Sequence, residues 1–226
     1  MTHTILVTGG TGGLGQAVVA QLLRDGYHVV VTYNVAREWQ AMQTAMDTAA
    51  IQAVEVDLQD EAAIAGLLQK IDGPVYGLVN LVGGFGMGNI GEMARQSWLD
   101  LVHLNLTPLL LLSNALIPAM REAGRGRIIG VSSAGMRGSP AGLSAYNVAK
   151  QGVLTFVETL AHELKDTLIT ANAILPGTLD TPANRSTVPD GERVPLAYVA
   201  NVVSFLLGDA AQGITGAALP ITVTAR

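Results

Sequence analysis

Seven short apolar runs, rich in Val and Ile and free of polar alternation, recur along the chain with helical patterns between them. In order they read TILVT, HVVVTY, IQAVEV, YGLVNLV, RIIGVS, ITANAIL and GAALPITV. A strand without alternation has to be covered on both faces, and strands that alternate with helices build a parallel sheet through right-handed crossovers. The expected fold class is therefore α/β: a doubly wound, seven-stranded parallel sheet with helices on both faces. The 226 residues suit a single domain, residues 1–226, and 49% apolar against 14% charged residues supplies its core. One polar stretch containing Pro and Gly, PANRSTVPDGERVP at 182–195, is expected to form a substrate loop over the site.

Bulk properties remove several function classes. A net charge of −5 without any run of Lys or Arg argues against nucleic acid or an anionic membrane as partner, so any phosphate site must be local. With no cysteine there is no disulfide, thiolate catalysis or cysteine metal site. The four histidines, His3, His28, His103 and His162, are scattered without ligand spacing, so no metal is expected, and His103 is assigned to core or interface. The segment MTHTILVTGG has no charged leader, and a cytoplasmic location is expected. The apolar stretch LDLVHLNLTPLLLLSNALIPAM is interrupted by Asp100, His103, Asn105, Asn114 and two prolines, which marks a buried helix rather than a membrane span.

Directly after the first strand comes TGGTGGLG, residues 8–15, opening a helix whose first apolar residues are Leu14, Val18, Val19 and Leu22. Glycines there let backbone approach a pyrophosphate that rests on the positive end of the helix, the arrangement of a Rossmann dinucleotide fold. The glycine set reads either as Gly9, Gly13, Gly15 or as Gly10, Gly12, Gly15. Asp57 ends the third strand, near the expected adenine or as a cap of the next helix. The second strand ends in Thr32, Tyr33 and Asn34, with Arg37 beyond, where an acidic residue would bind a ribose 2′-hydroxyl and a basic one a 2′-phosphate. With no carboxylate at the strand end and Arg37 within reach, NADP(H) is favoured and NAD(H) is the alternative.

AYNVAK, residues 145–150, places Tyr146 and Lys150 one helical turn apart on the same face. Such a pair can also be packing plus a solvated charge. Ser133 stands at the carboxyl end of the fifth strand, where ligands of these sheets bind. Asn105 lies three residues before Pro108, whose missing N–H leaves the Leu104 carbonyl without its helical donor and is expected to kink or bulge the helix. A neighbouring ammonium favours the phenolate of a tyrosine, and a serine hydroxyl stabilises a developing oxyanion.

Taken in order, Thr8-Gly9-x-x-x-Gly13-x-Gly15, Asp57, Asn80, Asn105, Ser133, Tyr146-x-x-x-Lys150 and Pro176-Gly177 resemble the short-chain dehydrogenase/reductase family over essentially the whole chain. The resemblance implies hydride transfer between a nicotinamide cofactor and a small carbonyl or alcohol. It implies Tyr146 as general acid/base, Ser133 as the hydroxyl orienting the substrate oxygen, Lys150 on the nicotinamide ribose and Asn105 as a link to a proton-relay water. The implied cofactor contacts run from Thr8, Gly9, Thr11, Gly12, Gly13, Leu14 and Gly15 through Tyr33, Asn34, Arg37, Asp57 and Leu58. They continue with Asn80, Val82, Gly83, Tyr146, Lys150, Pro176, Gly177, Leu179 and Thr181.

Two segments depart from the family pattern. NLVGG followed by FGMGN replaces the usual Asn-Asn-Ala-Gly, and with LDTPANRSTVPD it resembles the dihydropteridine reductase branch, although Ser133 and Tyr33 do not fit that branch. Reduction of a C=N or quinonoid pterin-like ring is thus the alternative chemistry, and a non-catalytic dinucleotide sensor the alternative without chemistry. Phe85, Met87, Met136 and Arg137 are expected at the cleft mouth. The apolar faces of the helices at 97–122 and 144–165 predict a homo-oligomer, dimer or tetramer.

Overall fold

All seven apolar runs are strands in the computed structural model, which describes residues 2–136, 138, 140–187 and 191–223. The chain runs β1 (Thr4–Thr8), α1 (Gly13–Arg24), β2 (His28–Tyr33), α2 (Ala36–Ala45), β3 (Ile51–Glu55), α3 (Glu61–Lys70) and β4 (Val75–Asn80). It continues with α4 (Arg95–Glu122), β5 (Arg125–Val131), α5 (Ser144–Glu163), β6 (Leu168–Pro176), α6 (Pro182–Thr187), α7 (Leu196–Leu207) and β7 (Ala218–Ile221). Every pairing is parallel, in the order β3-β2-β1-β4-β5-β6-β7. The strand order reverses between β1 and β4, so a crevice opens at their carboxyl ends.

The missing alternation in the strands has a direct physical counterpart. Leu6, Val30, Leu78 and Ile128 pack into the core shared with α3, α4 and α5, while Ile5, Val7, Val29, Val31, Val79 and Ile129 pack under α1 and α7. Successive residues point to opposite faces, and both faces are dry. Gly130 on β5 serves the site, because a Cβ there would lie 2.8 Å from Leu109 Cδ2 of α4 and 3.1 Å from Val153 Cγ1 of α5. The two helices therefore seat closely on β5, which carries Asn105 and Lys150 to the crevice.

Helix α4 is the one described helix long and apolar enough to cross a membrane by length and composition. It lies instead on the sheet, burying Leu109, Leu112, Leu116 and Met120, and it continues through Pro108 and Pro118 without ending. The stretch at 182–195, expected as loop, contains α6 over its first six residues. Residues 188–190 of that stretch lie outside the described residues.

At the other end of β5 an arginine is sealed into the protein. Arg127 is fully buried and donates to the carbonyls of Gly126 and Leu168 and to Gln212 Oε1, with Asp209 3.7 Å away. Its guanidinium also lies 5.4 Å from the centre of the Tyr76 ring, and burial lowers its pKa.

Candidate active site at the β1 and β4 crevice

The glycine turn is shaped by how little room it has. Gly9 adopts a positive φ of 63°, and a Cβ on Gly15 would lie 2.2 Å from the Gly9 carbonyl oxygen, so no side chain fits at residue 15. Gly12 caps α1 without a side chain, and the first turn holds no acid, so its amides face a phosphate group without a competing charge. Gln16 Nε2 braces the turn through the Thr11 carbonyl at 2.8 Å. Thr8 and Asn80 tie the two strand ends together rather than facing the crevice: Thr8 Oγ1 donates to Asn80 Oδ1 at 2.9 Å, and both are buried. This cradle fits a dinucleotide pyrophosphate.

A groove of about 160 Å³ runs from this turn toward the ends of β2 and β3. Of the residues expected to bind cofactor, Gly9, Thr11, Tyr33, Asn34, Asp57, Leu58 and Val82 line it. Asp57 and Asp60 separate two roles that the sequence left open: Asp60 caps α3 by accepting from the Ala62 amide, while Asp57 faces the groove and accepts from the Gln59 amide. Arg37 is exposed on α2 and does not line the groove. Glu38, the next residue, does line it, and Thr11 Oγ1 donates to its carboxylate at 3.0 Å. The expectation of a groove free of carboxylate beyond β2 is thereby corrected. One residue further along the helix turns a side chain by about 100°, which points Glu38 inward where Arg37 points out.

The catalytic candidates converge on Gly83. A Cβ at that residue would meet Asn105 Oδ1 at 2.6 Å and Lys150 Nζ at 3.2 Å, so the carboxamide and the ammonium share its bare face. Asn105 pairs twice with Gly84, accepting from its amide at 3.2 Å and donating to its carbonyl at 3.0 Å, and donates also to the Leu101 carbonyl. It clamps the glycine-rich segment after β4 to α4. Lys150 is 5% exposed, donates to the Val131 carbonyl at 3.0 Å and lies 5.8 Å from the centre of the Tyr146 ring. Burial pulls its pKa down to about 8.

The two serines exchange the parts expected of them. Ser132, assigned to capping, is buried and donates to the Lys150 carbonyl at 2.8 Å, bracing α5. Ser133 is the residue that caps, accepting from the Gly135 amide at 3.2 Å. That bond occupies a lone pair of Ser133 and leaves its hydroxyl proton to donate. The aromatic edge of the site is Phe85, whose ring meets that of Tyr146 edge-on at 5.2 Å between centroids. Phe85 and Met87 are both largely exposed at the mouth, Met136 packs against the core, and Arg137 lies outside the described residues.

After β6 the chain folds back over the glycine turn. Gly177 donates to the Ile221 carbonyl, Leu179 bridges to Val194, and Thr181 Oγ1 accepts from the Asn184 amide at the start of α6. Thr181 Cγ2 would lie 3.2 Å from a Cβ on Gly13, so this segment covers the amino end of α1. Asp180 pins it through Arg185 at 2.7 Å and Arg193 at 3.4 Å. Among the described residues no group of His, Asp and Glu is placed to hold a metal. His103 is exposed on α4, not in the core.

Residues 3–192 match the model of the short chain dehydrogenase family. The chain is similar to a 3-oxoacyl-[acyl-carrier-protein] reductase of Pseudomonas aeruginosa, 31% identical over 233 residues that cover 96% of this chain and 94% of the relative. Among solved structures it is similar to a short chain dehydrogenase/reductase family oxidoreductase of Burkholderia thailandensis, with TM-score 0.89, 31% identity and coverage of 98% and 91%. A variant of actinorhodin polyketide ketoreductase with NADPH also has TM-score 0.89, at 29% identity and coverage of 98% and 96%.

Proposed function

This chain belongs to the short-chain dehydrogenase/reductase family, and on that premise we propose that it reduces a small ketone or aldehyde, or oxidises the matching alcohol, with Tyr146 as general acid/base. The observation that carries the reading is the convergence at Gly83: a buried Lys150 ammonium, the Asn105 clamp and the Tyr146 ring meet beside the dinucleotide groove.

When bound, the nicotinamide supplies or accepts the hydride at the substrate carbon. Everything else falls to side chains of this protein. Ser133, its lone pair already engaged by Gly135, donates its proton to the substrate oxygen and stabilises the charge that gathers there. Tyr146 delivers its phenolic proton to the same oxygen, and the Lys150 ammonium stabilises the phenolate left behind. Thr8 and Asn80 keep the strand ends together, and the segment through Leu179 and Thr181 shields the amino end of α1. Gly9, Gly13, Gly15, Tyr33, Asn34, Asp57 and Val82 would hold the nucleotide.

For the cofactor, the acid-free end of β2 and the NADPH of a solved neighbour support NADP(H). The relatives are named for 3-oxoacyl and polyketide ketones, which supports a ketone as substrate. Leu110 of α4 and Val148 of α5, both exposed, support a homo-oligomer. The test is NADPH and NADH oxidation against panels of ketones, aldehydes and quinonoid dihydropterin, for the wild type and Tyr146→Phe. Turnover of a carbonyl that vanishes in the variant is expected. Undiminished turnover by Tyr146→Phe would overturn the assignment.

A further inference from the structure

The groove contains one carboxylate that the proposed function leaves without a task. Glu38 stands in the first turn of α2, lines the groove next to Tyr33, Asn34 and Val35, and is held by Thr11 Oγ1 at 3.0 Å. Thr11 belongs to the glycine turn and is 6% exposed, so its hydroxyl is a fixed donor that aims Glu38 across the groove between the pyrophosphate cradle and the end of β2. That span is where the adenosine ribose of a bound dinucleotide lies. Among the described residues lining the groove none is Lys or Arg, and Arg37 is not among them. Gly12, the other position facing this end of the turn, has no side chain to offer.

We propose that Glu38 keeps this groove open to NAD(H) by opposing the 2′-phosphate of NADP(H). The proposal rests on the dinucleotide reading above and refines it. A 2′-hydroxyl can donate to the carboxylate, whereas a 2′-phosphate brings like charge against it with no lining cation to offset the repulsion. The bond from Thr11 holds the carboxylate in place, so the side chain does not simply swing into solvent.

The test compares dissociation constants of NADH and NADPH, by nucleotide fluorescence, for the wild type, Glu38→Gln and Glu38→Ala. Glu38→Gln retains an acceptor for Thr11 and removes only the charge. Both variants are expected to shift the NADPH-to-NADH affinity ratio toward NADPH by about tenfold, the size of a like-charge contact at a solvated surface. Added salt is expected to shrink the difference between the wild type and the variants. A ratio that moves less than about threefold in both variants overturns the role of Glu38 while leaving the nucleotide site intact. Failure of the wild type to bind either nucleotide overturns the proposed function itself, and this proposal with it.

Discussion

Replacing Lys150 by Met should make the nucleotide-free protein more stable while abolishing its proposed chemistry. The ammonium is 5% exposed, and burial lowers its pKa from 10.5 to about 8. At about 1.4 kcal/mol per pH unit, that gap corresponds to roughly 3 kcal/mol of folding free energy lost by carrying the charge inside at neutral pH. Methionine of similar length removes the charge but leaves the Val131 carbonyl without its donor, which costs about 1 kcal/mol. The net expectation is a gain of about 1 to 2 kcal/mol near neutral pH. The sign reverses with alkali: between pH 8 and 10.5 the unfolded wild type holds more protons on this residue than the folded one, so its stability rises with pH. Urea unfolding of both proteins across this window, without nucleotide, gives the difference directly. The wild type should gain roughly 3 kcal/mol relative to Lys150→Met as the pH rises through it. Parallel pH dependences, or a variant less stable than the wild type at neutral pH, would refute the idea that burial strains this ammonium.

Ser133→Ala should fold normally and lower kcat by about a hundredfold or more, the usual scale for losing an oxyanion donor; a near-normal kcat would instead support the pterin-like alternative. Gly15→Ala should lose nucleotide affinity and about 1 to 3 kcal/mol of stability in thermal unfolding, because its methyl would lie 2.2 Å from the Gly9 carbonyl oxygen. Asn105→Ala should cost about 1 to 3 kcal/mol and lower kcat, since the Gly84 amide and carbonyl lose their partner. In the free enzyme, kcat/KM should fall as pH rises through about 8, where Lys150 gives up its proton. A profile that stays flat well beyond that point would separate Lys150 from the chemistry.

What could be read from the chain alone follows from how strongly each feature is determined locally. Strands such as Thr4–Thr8 are buried on both sides, and unbroken apolar runs are the direct imprint of that burial. Tyr146 and Lys150 were legible because helical spacing alone puts them on one face. Glu38 was not, since a Glu early in a helix looks like any solvated acid until Thr11 of another element is seen to hold it. The parts of Ser132 and Ser133 depended on which hydroxyl α5 approaches, a tertiary fact. Helix α6 escaped notice because Pro, Asn, Ser and Thr are weak helix formers, and it is fastened from outside by Asn184 on the Leu179 carbonyl and Arg185 on Asp180. Buried Arg127 left no trace, as GRGRIIG reads as a solvated approach to a strand.

Strand β5 thus carries an interior cation near each extremity, Arg127 from its own side chain and Lys150 on the Val131 carbonyl. An engineer seeking a hardier scaffold has a clear choice between them. The guanidinium stands on the side of the sheet away from catalysis and is a candidate for exchange with a hydrocarbon isostere together with its polar neighbours, whereas trading away the ammonium would yield a sturdier protein with nothing left to do.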